Sequence, residues 1–284
     1  MIAAGPGGGG AVRPGPSTPE EDDVRDPDEG VGADGTIVTG AARHRVPAAF
    51  EPVLAAAVAA LGDDVELYLY GSVATGRARP PASDVDLLSV GLPGPAAAEL
   101  GRLLSGRFAD LCRGVEIGAA QPADLVGPAD EPYGLRVFLR HYCVRLSGPP
   151  RPDPPAFPAD VRAARGFNGD IAQHAQRWRQ DLRAGADPAA LARRVGRKSL
   201  LALASLVSVR DATWTTDRAR AARRWSQVRP AMSGDLEVLL RWTDGADLPA
   251  DPGRVQRMVE GAVARIVEDF ATTVGLWRAR PPDR

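Results

Sequence analysis

The chain has 284 residues, 44% of them hydrophobic and 25% charged, with 31 glycines, 26 prolines and a formal net charge of −1. This allows one or two domains with a sizeable core and excludes a mini-protein. No apolar run approaches the roughly 18 residues of a membrane-spanning helix, and the start, MIAAGPGGGG, has neither a basic nor an apolar signal region; the reading is a soluble, unexported, cytoplasmic protein with no membrane partner.

Residues 1–42 are rich in glycine, proline and acids and almost free of large apolar side chains, so they are expected to form a disordered leader. A mis-chosen start codon would give the same picture. From Val46 to Leu61 an apolar stripe through Phe50, Val53 and Leu54 predicts the first helix, with Pro47 in its opening turn. Strand-like runs follow at Val65–Tyr70, Asp84–Val90 and Val115–Ala120, with a helical segment, AAAELGRLLSGRF, between the last two. A helix around Leu135–Arg140 precedes a fourth run, Tyr142–Leu146, placed at a sheet edge. The proline-dense RLSGPPRPDPPAFP then reads as a boundary loop. Beyond Asp160 the spacing is helical: helices are expected at about 159–184, 188–209, 216–228, 234–243 and 252–277, with Asp187-Pro188 and Asp251-Pro252 as N-cap and first-turn proline. The fold class is α+β: a leader (1–42), a small mixed β-sheet domain with helices (43–150) and an α-helical bundle (151–284). Cys112 and Cys143 make neither a disulfide framework nor a metal-ligand spacing, as in a reducing compartment.

The chemistry is concentrated in LYLYGSVATGRARPPASDVDLLSV, residues 67–90. A strand ends in Gly71-Ser72, a helix follows, and the next strand opens with Ser83-Asp84-Val85-Asp86. Because side chains alternate along a strand, Asp84 and Asp86 share one face while Val85 and Leu87 turn to the core. Two adjacent carboxylates repel one another, and their hard oxygens make Mg²⁺ the natural counter-charge. Gly71-Ser72 offers close backbone N–H groups, a hydroxyl and a helix start to a phosphate. Glu116, between Val115 and Ile117, repeats the pattern; if its strand neighbours 84–90, three carboxylates converge.

Gly71-Ser72, Gly76, Ser83-Asp84-x-Asp86-Leu87-Leu88 and a later strand carboxylate together resemble the polymerase-beta-type nucleotidyltransferase superfamily, over roughly residues 46–147. The two-part plan and a glutamate on the third strand are similar to the aminoglycoside adenylyltransferases. The resemblance implies that Asp84 and Asp86 hold Mg²⁺, that Glu116 lies at the metal and acts as general base, and that ATP or another nucleoside triphosphate gives a nucleoside monophosphate to a hydroxyl acceptor. It also implies that a basic residue on an early helix of the second half touches the phosphates; Lys198, the only lysine, stands in that place, and a solvated basic turn with Arg193, Arg194 and Arg197 is the competing reading. Arg77, just after the Gly-Ser turn, is within reach of a phosphate or serves at the surface.

Charge divides unevenly along the chain: −6 over residues 1–42 (2 basic, 8 acidic), −2 over 43–150 (10 and 12) and +7 over 151–284 (23 and 16). A polycationic aminoglycoside prefers an acidic pocket, whereas a basic half suits tRNA, an anionic metabolite or an acidic protein. The leading expectation is a small-molecule acceptor such as an aminoglycoside; the alternatives are a protein or tRNA acceptor, and a non-catalytic nucleotide-binding module.

Overall fold

The computed structural model describes residues 26–62, 64–150 and 152–277. Residues 1–25 of the expected leader lie outside them. Residues 26–42 depart from the expectation of a disordered leader: β1 (Gly30–Val31) and β2 (Ile37–Val38) pair antiparallel, and Ile37 is buried in the core of the helical half. The backbone N–H of Ile37 donates to the Phe157 carbonyl at 3.0 Å, and that of Ala159 to Gly35 at 3.0 Å. The Glu29 carboxylate accepts from the Tyr142 hydroxyl (2.6 Å), the Thr216 N–H and hydroxyl (2.7 Å each) and the Thr215 hydroxyl (3.3 Å). Composition argues against order on average, but one carboxylate and one isoleucine at the right positions suffice to dock this segment onto both halves.

After a short helical turn at 48–50, α1 spans Glu51–Leu61, later than the expected start at Val46. Then come β3 (Glu66–Tyr70), the single-turn α2 (Gly71–Ala74), β4 (Val85–Val90), α3 (Gly94–Arg107), β5 (Val115–Ala120), α4 (Asp130–His141) and β6 (Val144–Ser147). The four longer strands form one mixed sheet ordered β5-β4-β3-β6, with β4 and β5 parallel and the other pairs antiparallel, so β6 is an edge strand as expected. Alternation decides its faces. Leu67, Leu69, Val85 and Leu87 are buried on one side against Val53, Leu54 and Leu104 of α1 and α3; Tyr68, Val90 and Ala120 are buried on the other beneath Leu139 of α4.

The helical half comprises α5 (Val161–Asn168), α6 (Ile171–Arg183), α7 (Pro188–Asp211), α8 (Arg218–Val228), α9 (Ser233–Thr243), α10 (Pro252–Met258) and α11 (Ala264–Thr273), the last two joined by a π-helical turn over Val259–Val263. Asp160, Asp187, Asp217 and Asp251 cap their helices through side-chain bonds to backbone N–H groups, each worth about 1 kcal/mol. The helix expected over 159–184 is two helices. Gly169 stands between them because Trp277 packs there: a Cβ at 169 would lie 2.3 Å from the indole Cδ1, and Trp277 Nε1 donates to the Arg165 carbonyl at 2.7 Å. Leu191, Val195, Leu200, Leu203 and Leu206 are buried around most of the circumference of α7, which makes it the spine packed by α5, α6, α8, α9 and α11.

The two halves share a core at α4, whose Tyr133 and Val137 belong to the helical cluster. An aromatic seam continues the link: Tyr70 meets Phe138 edge-on at 5.2 Å, Phe138 stacks on Tyr142 at 6.0 Å, and Phe167 contacts both Tyr142 and Trp214. Among the described residues no helix is long and apolar enough to cross a membrane.

Candidate active site

Strand register assembles the site. Tyr70 lies opposite Asp86 across the antiparallel β3–β4 ladder, and Asp86 lies opposite Glu116 across the parallel β4–β5 ladder. Directly opposed residues share a face, with strands about 4.8 Å apart, so Tyr70, Asp86 and Glu116 form one row across the sheet. Asp84, two residues before Asp86, sits on the same face at the strand mouth. This is the face that α4 covers farther along, at Tyr68, Val90 and Ala120, leaving the Asp84–Asp86 end uncovered. Glu116 is exposed and Asp86 partly buried, so neither carboxylate is spent in the core.

The turn after β3 is built around Asp86. Gly71 has φ +73°, and a Cβ there would fall 2.5 Å from Asp86 Oδ2; both the backbone and the carboxylate therefore require glycine. Ser72 follows inside α2, and its carbonyl accepts from the N–H of Arg77 at 2.8 Å and of Ala78 at 3.1 Å, which folds the Arg77 backbone back onto the turn. Ser83 closes the next loop: its hydroxyl accepts from the Arg79 N–H at 2.9 Å and its carbonyl from the Arg113 N–H at 3.1 Å.

Electrostatics single out Asp86. Burial, then the carboxylates of Glu116 and Asp84, push its pKa up to about 6, while Arg113 and Arg197 pull the other way. Burial, then Asp86 and Glu116, likewise raise the Tyr70 phenol well above its ordinary range. The site thus carries crowded negative charge.

Two arginines that sequence reasoning did not single out meet this charge. Arg113, just before β5, grips Asp84 through both ends of its guanidinium, with Nε to Oδ1 at 3.0 Å and Nη2 to Oδ2. Arg197, from α7, places its field on Asp86. Neither stands out in a chain whose cations are nearly all arginine. Lys198 is placed differently from the phosphate-facing expectation: its ammonium is held inside, 2.6 Å from Asp170 Oδ1 and 3.2 Å from the Phe167 carbonyl.

The expected convergence of three carboxylates is therefore met for Asp86 and Glu116, with Asp84 turned to Arg113. Among the described residues no three His, Cys, Asp or Glu side chains are close enough together to hold a metal ion as they stand. The donors nevertheless fit a divalent cation. They are hard oxygens on one face of the sheet, Asp86 and Glu116 directly opposed across the β4–β5 ladder.

Residues 53–107 match the family model described as a nucleotidyltransferase domain. That stretch contains Gly71, Ser72, Asp84 and Asp86 and ends before Glu116. No curated protein matches the chain. Among solved structures, that of a spectinomycin adenyltransferase from Enterococcus faecialis with ATP and spectinomycin is 12% identical, covering 77% of this chain and 96% of that one at a TM-score of 0.47. The turn, the paired aspartates and the strands that carry them all lie within the stretch that matches the nucleotidyltransferase domain model.

Proposed function

We propose that this cytoplasmic enzyme transfers a nucleoside monophosphate, AMP from ATP, to the hydroxyl of a small-molecule acceptor, with Mg²⁺ as cofactor. The observation that carries the reading is the row formed by Asp86 and Glu116 on the open end of the sheet, with Gly71 fitted against the Asp86 carboxylate. Asp86, joined by Asp84 on release from Arg113 and by Glu116 beside it, would hold the metal, whose charge neutralises the triphosphate and stabilises the leaving pyrophosphate. The backbone at Gly71-Ser72 and the Ser72 hydroxyl orient the phosphates, and Arg197 offers them a guanidinium. Arg77, on the folded-back turn, and Lys198, through its support of the start of α6, are positioning residues in this scheme. Glu116, exposed beside Asp86, accepts the proton of the acceptor hydroxyl at a carboxylate oxygen. The acceptor oxygen forms its bond to the α-phosphorus as the bond from that phosphorus to the β-phosphate oxygen breaks, and pyrophosphate departs.

A macromolecular acceptor, tRNA or protein, is the second reading, favoured by the +7 charge of residues 151–284. The test is pyrophosphate release by purified protein with MgCl₂ and each nucleoside triphosphate, against aminoglycosides, bulk tRNA and no acceptor. Asp86→Asn and Glu116→Gln are expected to abolish it. Release that survives both substitutions rejects the site, and release that only tRNA stimulates rejects the small-molecule acceptor.

A further inference from the structure

Of the three carboxylates at the open end of the sheet, one is engaged. Asp84 takes Arg113 Nε on Oδ1 at 3.0 Å and Nη2 on Oδ2, whereas among the described residues Asp86 and Glu116 form no hydrogen bond or ion pair. The backbone delivers the guanidinium. The N–H of Arg113 donates to the Ser83 carbonyl at 3.1 Å and that of Val85 to the Gly114 carbonyl at 2.9 Å, just before the first ladder pair, Val85 with Val115. These two bonds bracket Asp84 and set it against residues 113–114, so Arg113 reaches it as a direct result of strand pairing. The side chain of Arg113 is 69% exposed and that of Asp84 25%. The guanidinium can therefore leave for solvent without opening the core, while the carboxylate stays on its strand.

A carboxylate with a guanidinium fork on both oxygens cannot take a divalent cation at no cost. Either the fork leaves, which forfeits two charge-assisted hydrogen bonds, or it stays and two cations are held side by side. A metal ion arriving alone has nothing to offer the displaced guanidinium. One arriving on a triphosphate brings anionic oxygens of the kind that a guanidinium fork binds. We infer that Arg113 is a positioning residue that acts through Asp84: by competing with metal for this carboxylate, it makes the site take a metal–nucleotide complex in preference to the free ion. This rests on the nucleotidyl-transfer reading and adds to it the order in which the site is filled. The coupling is reciprocal: metal and triphosphate strengthen one another's binding by the same factor, and removing Arg113 shrinks that factor by strengthening the binding of metal alone.

The test uses two probes on the full chain: MnCl₂ alone, with free Mn²⁺ followed by electron paramagnetic resonance, and the Mn²⁺ complex of a non-hydrolysable ATP analogue, followed by calorimetry. The proteins are the parent, Arg113→Gln, Asp84→Asn and the double variant. Arg113→Gln is expected to bind Mn²⁺ alone at least about fivefold more tightly than the parent, without a matching gain for the complex. In the Asp84→Asn background the same substitution is expected to change Mn²⁺ binding by less than about twofold, because the carboxylate through which Arg113 acts is gone. Three results would each overturn the inference: Arg113→Gln binding Mn²⁺ no more tightly than the parent, an equal gain for the ion and the complex, or a gain that persists with Asp84→Asn. Failure of the complex to bind either the parent or Arg113→Gln would instead reject the nucleotidyl-transfer reading.

Discussion

Gly71→Ala separates the two demands that the turn places on its first residue. The backbone demand is a φ of +73°, which costs a residue with a Cβ about 1–2 kcal/mol. The second is space: the new methyl would stand 2.5 Å from Asp86 Oδ2, and relief to at least 3.0 Å displaces the carboxylate by half an ångström or more. Displacements of this order at a reacting centre cost about 10- to 100-fold in rate. Gly185→Ala is the control, because Gly185 ends α6 with φ +76° and a methyl added there would meet nothing within 4 Å, so it carries the backbone cost without the clash. Urea unfolding and the rate of pyrophosphate release are measured on both variants and the parent. Both are expected to lose about 1–2 kcal/mol of stability, with only Gly71→Ala losing about 10- to 100-fold in kcat. Equal kcat values in the two variants would refute the idea that Gly71 is present to leave room for Asp86.

Two further perturbations test the electrostatics and the docked N-terminal segment. Asp86 has its pKa raised in the folded protein from the ordinary 3.8 to about 6, so the folded state binds the proton more tightly than the unfolded one. The resulting penalty is absent below pH 4 and complete above pH 6, and stability falls as pH rises through that window. The full penalty is at most about 3 kcal/mol, and solvent access reduces it to about 1–2 kcal/mol. Asp86→Asn is therefore expected to melt with the parent at pH 4 and about 2–6 °C above it at pH 8, while losing activity; scanning calorimetry showing no gain at pH 8 would count against the crowded-charge account. Glu29→Ala leaves the buried Tyr142 hydroxyl and the Thr216 N–H without their acceptor, an expected loss of about 2–4 kcal/mol by urea unfolding. A change within about 0.5 kcal/mol would mean that the segment is not held through this carboxylate.

The row of carboxylates was legible because it follows from the period of a strand. Asp86 stands between Val85 and Leu87 and Glu116 between Val115 and Ile117, apolar neighbours that turn to the other face, and the observed ladder sets Asp86 against Glu116. Gly71 was legible as a turn, but its second role was not, since nothing local says that the Asp86 carboxylate approaches it. Arg113 and Arg197 were hidden by number: in a chain whose cations are nearly all arginine, the two whose charge acts on Asp86 read like any other arginine. Lys198 stood out for the opposite reason and proved to be an internal partner of Asp170. The order of residues 26–42 depends on Tyr142, Thr215 and Thr216, more than a hundred positions away. The break at Gly169 depends on Trp277 in the same way. Composition and periodicity report local preference, and these features are long-range.

The distribution of charge around the carboxylate row also explains why folding leaves attraction unused there. Asp84 and Arg113 close into an ion pair, whereas Asp86 on the sheet feels the charge of Arg197 on α7 and, among the described residues, forms no ion pair with it. A unit pair brought to 4 Å near a protein surface would gain about 4 kcal/mol before the cost of desolvation. Asp86 is fixed by strand pairing and by the approach of Gly71, and Arg197 stands on the long helix α7. A row of carboxylates with a guanidinium acting on it unpaired is complementary to a ligand carrying both signs, a metal cation toward the carboxylates and phosphate oxygens toward Arg197. A nucleoside triphosphate with its metal has that combination of charges.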